Sequence, residues 1–261
     1  MIDLRKFLTT YKKVLSGLGL VLAVVLIFWT VNNPAIVGAS ATQRQLPIYC
    51  VQREDKVVSL SFDAAWGNED TQQLIDILNK YGIHATFFVV GDWVDKYPES
   101  VKALADAGNE VMNHSSNHAH FSKLSEDEIV ADVTACNQKI AAVTGVTPTL
   151  FRCPYGEYDD HVIKAVSSTG TTAIQWDVDS LDWKDYDAAT ITQRVTGNVC
   201  PGSIILFHNA ALHTPEALPS ILEFMHQSGY TVVPIGELIY TENYTIDHTG
   251  RQSLLRPEPA A

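Results

Sequence analysis

Short apolar, β-rich runs recur along most of this 261-residue chain, with helical patterns between them. The runs are VVSLSFDAA (57–65), ATFFVVGD (85–92), EVMNHS (110–115), LFRCPYG (150–156), TTAIQWDVDS (171–180), SIILFHN (203–209) and YTVVPI (230–235). Each is nearly continuous in apolar residues, which suits parallel strands covered on both faces. Between the first two, TQQLIDILNKYG puts Leu74, Ile77 and Leu78 at helical spacing and stops at Gly82. The stretch 125–145 opens on Ser125 with two acids close behind it and closes on Gly145. Further helical stretches end at Gly108 and Gly229. Seven strands alternating with helices predict a (β/α) barrel or an open doubly wound sheet over residues 57–240. Residues 32–56 read as a linker plus a first irregular or short-strand segment, and 241–261 as a loose C-terminal tail.

The N-terminus has a different character. Arg5, Lys6, Lys12 and Lys13 crowd the first thirteen residues, and residues 14–31 carry no charge. That run comes close to spanning a bilayer core of roughly 30 Å. The flanking positive charge keeps the N-terminus in the cytoplasm. Residues 1–31 are therefore expected to be a basic stub and a single transmembrane helix. The alternative is a cleaved signal peptide with Ala39-Ser40-Ala41 as the small-residue site, but that site lies well past the apolar run. Both readings put residues 42–261 outside the membrane, either anchored or secreted. The net charge of −12, with no basic stripe and no glycine-rich phosphate loop, argues against a nucleic-acid partner. Four cysteines, at 50, 136, 153 and 200, can form disulfides in an exported domain. They have no CxxC spacing, and nothing in the sequence selects a pairing.

In parallel α/β domains, functional groups gather at the C-terminal ends of strands. Asp63 ends the first run, Gly91-Asp92 the second, and His114, with His118 following, the third. Arg152-Cys153-Pro154-Tyr155 ends the fourth, Asp177, Asp179 and Asp182 the fifth, and His208-Asn209 the sixth. A barrel built only for stability does not need ionisable groups on six strand ends. His114 and His118, on a turn entering a helix, can present two imidazoles on one face, a common zinc spacing. The bland alternative is a pair of surface histidines, and the strand-end position weighs against it.

Five motifs in order resemble the polysaccharide deacetylases, carbohydrate esterase family 4, which share the NodB homology domain. SFDAAW stands where that family has TFDDGP. His114-Ser-Ser-Asn-His118 matches HSxxH, and Arg152-Cys153-Pro154-Tyr155 matches RxPY. Asp179-Ser-Leu-Asp182-Trp183 matches DxxDW, and Leu206-Phe207-His208 matches LxH. The resemblance implies a distorted (β/α)7 barrel of the NodB type, here preceded by the transmembrane helix. It implies hydrolysis of N-acetyl groups from an aminosugar polysaccharide, with peptidoglycan of the spore or cell wall as the expected partner. The anchor and the FDAAWG stretch look most like sporulation-associated deacetylases. By resemblance, Asp63 is the general base and Arg152 orients it. The backbone N–H of Tyr155 is the oxyanion donor, and His208 is the acid, oriented by Asp182. His114 and His118 are the ligands of a divalent metal, zinc or cobalt. Trp183 and Trp66 can stack on sugar faces.

One position departs from the pattern. The family's second aspartate, a metal ligand, is Ala64 here, which has no donor atom. Catalytic zinc usually has three protein ligands, so the metal is expected to be weakly held or absent. Asp63 itself, Glu69, Asp70 or His120 are candidate replacements, although His120, two residues beyond His118, points to another helical face. Without a replacement, the domain becomes a weakly active or non-catalytic glycan binder. A general amidase acting on a non-sugar amide is a third reading. Cys153 replaces the more usual proline of RxPY and is expected to pack rather than to ligate.

Overall fold

Eight residues, Val57–Ala64, form strand β2, around which the domain is organised. Val58, Leu60, Phe62 and Ala64 belong to the large apolar layer shared with the helices. Ser61 and Asp63 turn to the other face, where both meet Arg152. The two-residue period of a strand produces this division. A computed structural model describes residues 19–30 and 44–255. It divides into a unit ending at Arg44 and a unit beginning at Gln45. In the first unit, residues 19–30 are helical, and Leu20, Leu26, Phe28 and Trp29 are exposed. Among the described residues no helix is long and apolar enough to cross a membrane. The ends of the expected 14–31 span, and Ala39-Ser40-Ala41, lie outside the described residues.

In the second unit, β2 pairs in parallel with β3 (Thr86–Val89) on one side and β8 (Ile204–His208) on the other. β4 (Glu110–Asn113), β5 (Leu150–Phe151) and β6 (Thr172–Ala173) continue beyond β3, and β7 (Val178–Asp179) lies beyond β8. The order is β6-β5-β4-β3-β2-β8-β7, with β9 (Thr231–Val232) pairing with the start of β2. The helices between them are α1 (Thr71–Lys80), α2 (Gly91–Lys96), α3 (Pro98–Asp106), α4 (Glu126–Thr144), α5 (Asp160–Ser168), α6 (Ala188–Thr196) and α7 (Thr214–Gln227). The α4 boundaries follow the sequence signals. Ser125 and Glu128 form a reciprocal capping box, and Gly145 closes the helix with φ 75°.

The run expected as one strand over 171–180 is split. β6 and β7 lie at opposite ends of the sheet, so the parallel sheet is gapped rather than closed. The segment before β2 runs through this gap. Ile48 N–H donates to Ala173 O, Gln175 N–H to Ile48 O, and Val51 N–H to Gly202 O. Residues 45–56 therefore hold the expected short-strand segment rather than a linker: Ile48 and Val51 are fully buried, and β1 (Cys50–Val51) is part of the fold. The loose tail is likewise corrected through residue 255. β10 (Tyr244–Ile246) and β11 (Arg251–Leu254) form a hairpin that pairs with β1 in a small second sheet. Gly91-Asp92, expected to end a strand, instead opens α2. All four cysteines are free thiols.

Candidate active site

Asp63 and His208 lie in register on the neighbouring parallel strands β2 and β8. Parallel residues in register share a face, so both side chains emerge together at the C-terminal edge of the sheet. They line a cavity of about 420 Å³ with His114, His118, Trp66 and Trp183. Two buried residues stand behind this pair, and each fixes one member.

Arg152 is fully buried. Its Nη1 donates to Asp63 Oδ1 at 2.8 Å, and its Nη2 donates to Ser61 Oγ at 2.9 Å and Gln175 O at 3.1 Å. Its guanidinium lies 4.2 Å from the Phe88 ring centroid, a contact that favours arginine over lysine. Burial opposes ionisation of Asp63, but Arg152, aided by His208, holds its carboxyl below the ordinary carboxylate range.

Asp182, also fully buried, accepts from His208 Nδ1 at 2.8 Å, and its other oxygen accepts from the His208 N–H at 2.8 Å. Thr214 Oγ1 donates to that second oxygen at 2.7 Å, and Trp183 N–H donates to the first at 2.9 Å. Four donors leave the carboxylate one orientation, and it in turn leaves His208 one tautomer, with the proton on Nδ1. Burial works against the imidazolium, but the hydrogen bond and charge of Asp182 outweigh it and raise His208 above the ordinary histidine value.

His114 and His118 are brought together, but not by a helix. The segment after β4 is a loop with left-handed backbone at Ser115 (φ 74°) and His118 (φ 59°). Side chains replace helical bonds there: Asn113 Oδ1 accepts from Ser115 N–H at 2.7 Å, and Ser115 Oγ accepts from His118 N–H at 2.9 Å. The two rings meet at 5.0 Å and 71°. His114 Nδ1 donates to Arg152 O at 2.8 Å, which leaves Nε2 unprotonated and 3.5 Å from Asp63 Oδ2. Burial lowers the pKa of His114, against the pull of Asp63. Burial and the neighbouring His114 push His118 down to about 4. Both imidazoles are therefore neutral, the form that ligates metals.

Of the expected replacements for Ala64, Asp63 stands beside this pair, engaged by Arg152, and the others do not reach it. Ala64 is buried in the apolar layer with Phe62 and Val89, whereas Asp63 and Ala65 line the cavity. Asp70 accepts from Ala210 N–H at 2.9 Å, and neither it nor Glu69 lines the cavity. His120 is turned against Tyr155. Cys153 is packed with Phe151 and Val162, and burial pushes its thiol up to about 12. Among the described residues no group of three or more His, Cys, Asp or Glu is arranged to hold a metal ion. The donor set stops at two imidazoles with Asp63 beside them, one ligand short of the usual catalytic zinc site.

Tyr155 lies on the cavity wall in the left-handed region (φ 60°, ψ 6°). Tyr155 is 58% exposed, comparable with Trp66 (54%) and Trp183 (53%), which makes it a rim residue rather than a buried plug. Trp66 lies nearly parallel to the His208 ring, 23° off at 6.5 Å. The next residue must be glycine: Gly156 has φ 66°, and a Cβ there would come within 3.0 Å of the Trp176 ring. Sequence reasoning missed Ser61, Thr214 and Trp176. Ser61 was within reach, because it lies two residues before Asp63 on the same strand face. Thr214 and Trp176 join the site only through tertiary folding.

Comparison with known proteins gives this arrangement a family. The family model described as polysaccharide deacetylase matches residues 51–174. A Bacillus subtilis peptidoglycan-N-acetylmuramic acid deacetylase is 36% identical over 188 residues, which are 72% of this chain and 40% of that protein. A Bacillus cereus peptidoglycan-N-acetylglucosamine deacetylase is 32% identical over 188 residues, 70% of this chain and 68% of that protein. This chain belongs to the polysaccharide deacetylase family. Among solved structures, this deacetylase-family chain is similar to a mutant, with restored enzymatic activity, of a family 4 pseudoenzyme from Bacillus anthracis. The match has 37% identity and a TM-score of 0.71, and it covers 74% of this chain and 70% of that one. The gapped parallel sheet described above is thus the family's fold. The chain spans well under half the length of the Bacillus subtilis relative.

Proposed function

We propose that this protein hydrolyses N-acetyl groups from aminosugars of a polysaccharide, with peptidoglycan of the spore or cell wall as the substrate. The observation that carries the proposal is the pair of opposed, separately oriented groups in one cavity. Asp63 is held ionised by Arg152, and His208 is held protonatable by Asp182. A glycan-binding surface has no use for a base and an acid whose affinities for protons are driven apart. In this reading Asp63 takes the proton of the water that attacks the acetamide carbonyl. The turn at Tyr155 offers its N–H to the oxygen that becomes negative, a role taken from the family resemblance. His208 gives a proton to the departing amine, which leaves poorly without one. Trp66 and Trp183 offer exposed faces to the sugar rings.

A divalent ion such as zinc or cobalt would polarise the same carbonyl. His114 and His118 would hold it loosely, because the third ligand is missing. The uncharged run at 14–31 is proposed to tether the domain to the outer face of a membrane. The pseudoenzyme likeness and Ala64 favour a second reading, a glycan binder with little or no turnover.

Acetate release from N-acetylglucosamine oligomers and purified peptidoglycan decides between them. We expect the full-length chain to release acetate and Asp63→Asn to lose on the order of 10²–10⁴ of that rate. Chelation is expected to lower release, and added zinc or cobalt to restore it. No release from the natural chain, with oligomer binding intact, would favour the binder.

A further inference from the structure

The cavity wall beside His118 is made from backbone that needs outside support. Tyr155 and His118 are both non-glycine residues in the left-handed region, a conformation that persists only where surrounding contacts enforce it. Three rings interlock there. The Tyr155 ring meets His118 edge-on at 4.5 Å and 71°, and lies flat on His120 at 4.3 Å and 12°. His120 is anchored in turn: its Nδ1 donates to Glu157 Oε2 at 2.9 Å, and Ser122 Oγ donates to the same oxygen at 3.3 Å. Glu157 leaves the turn two residues after Tyr155, so the clamp grips both the ring and the exit of the turn. The turn's own bonds run from Gly156 N–H to Cys153 O and from Glu157 N–H to Pro154 O, and they do not use the Tyr155 N–H. His120 does not line the cavity. Among the described residues, the ring it stacks on at the site is that of Tyr155.

We propose that His120, anchored by Glu157, is a positioning residue that holds Tyr155, and with it the wall next to His118, in the geometry that the reaction uses. The proposal rests on the deacetylase reading above. A group that acts only through another should affect the transition state more than substrate binding. The test is steady-state kinetics of acetate release by His120→Ala and His120→Phe in the full-length chain. Amide hydrogen exchange of residues 153–157 is followed in the same proteins. His120→Ala is expected to lower kcat about tenfold with KM changed less than about twofold. His120→Phe keeps a flat ring against Tyr155 and is expected to recover most of kcat. Exchange in the turn should accelerate in the alanine variant and return towards the natural rate with phenylalanine. A raised KM with unchanged kcat would overturn the proposal, because His120 would then be serving the sugar. Unchanged kinetics with unchanged exchange, or phenylalanine behaving like alanine, would overturn it as well. If the natural chain releases no acetate, the deacetylase reading fails on its own. The exchange comparison then still decides whether His120 holds the turn.

Discussion

Arg152→Met is expected to lower the stability of the domain by about 3–5 kcal/mol, because it leaves one member of a buried ion pair without its partner. For a domain of this size that corresponds to a fall in Tm of roughly 6–20 °C. Methionine fills much of the arginine's volume and can lie against Phe88, so the loss is electrostatic more than steric. Three hydrogen bonds go with the guanidinium, to Asp63, Ser61 and Gln175. Ser61 keeps a partner, since its hydroxyl donates to Ile205 O at 2.8 Å. Asp63 does not, and its carboxylate stays in a site that is only 6% exposed. Acetate release should be lost as well, because the base is no longer held ionised and in place. Asp63→Asn strands the opposite charge and is also expected to destabilise. The double variant should be less destabilised than the sum of the two, which is the signature of direct coupling. Thermal and denaturant melts of all four proteins measure this. A single Arg152→Met variant within about 1 kcal/mol of the natural chain would mean that the pair contributes little.

The contrast between these well-held residues and Ala64 explains what the sequence could and could not reveal. Asp63, His114, Arg152, Asp182 and His208 were legible because parallel strands bring their C-terminal ends together by construction. A residue that ends an apolar run is placed before any tertiary detail is known. Ala64 was legible as a missing donor, but its placement in the apolar layer was not obvious until the strand's alternation was followed past Asp63. The His114–His118 pair was found by spacing, although no helix produces it. Bonds from Asn113 and Ser115 fold that loop, and short polar side chains can do this in too many ways for the sequence to choose one. The pieces that close the domain were misread for a different reason. β1 and β6 have two residues each, β1 pairing with β11 and β6 with β5, too short for any periodicity to register. The final hairpin did carry a signal in Asp247-His-Thr-Gly250, where Asp247 Oδ1 accepts from three donors in the turn. Aspartate and glycine at that spacing are turn chemistry, but the flanking strands are too polar to look like part of a core.

Asp182→Asn is expected to reduce kcat by on the order of 10²–10⁴ and to move the alkaline limb of the pH profile to lower pH. The carboxylate accepts on both oxygens: His208 Nδ1 and Trp183 N–H on one, His208 N–H and Thr214 Oγ1 on the other. An asparagine amide must turn its NH2 towards one of these pairs of donors, so one side loses its acceptor. The sign of the pH shift follows from His208. Burial alone would lower its proton affinity, and Asp182 supplies the main opposing effects that raise it. The acid form works while protonated and is lost as pH rises through the raised folded-state value. Without the Asp182 charge, burial prevails, the proton leaves at lower pH, and the alkaline limb follows. Stability changes with the same sign. A raised histidine stabilises the fold below its unfolded value, and that contribution disappears as pH rises through the folded one. The variant should therefore lose more stability relative to the natural chain at about pH 5 than at about pH 9. Rates of acetate release and melts across that range test both statements. An alkaline limb that stays in place while kcat falls would mean that Asp182 holds His208 in position without setting its charge.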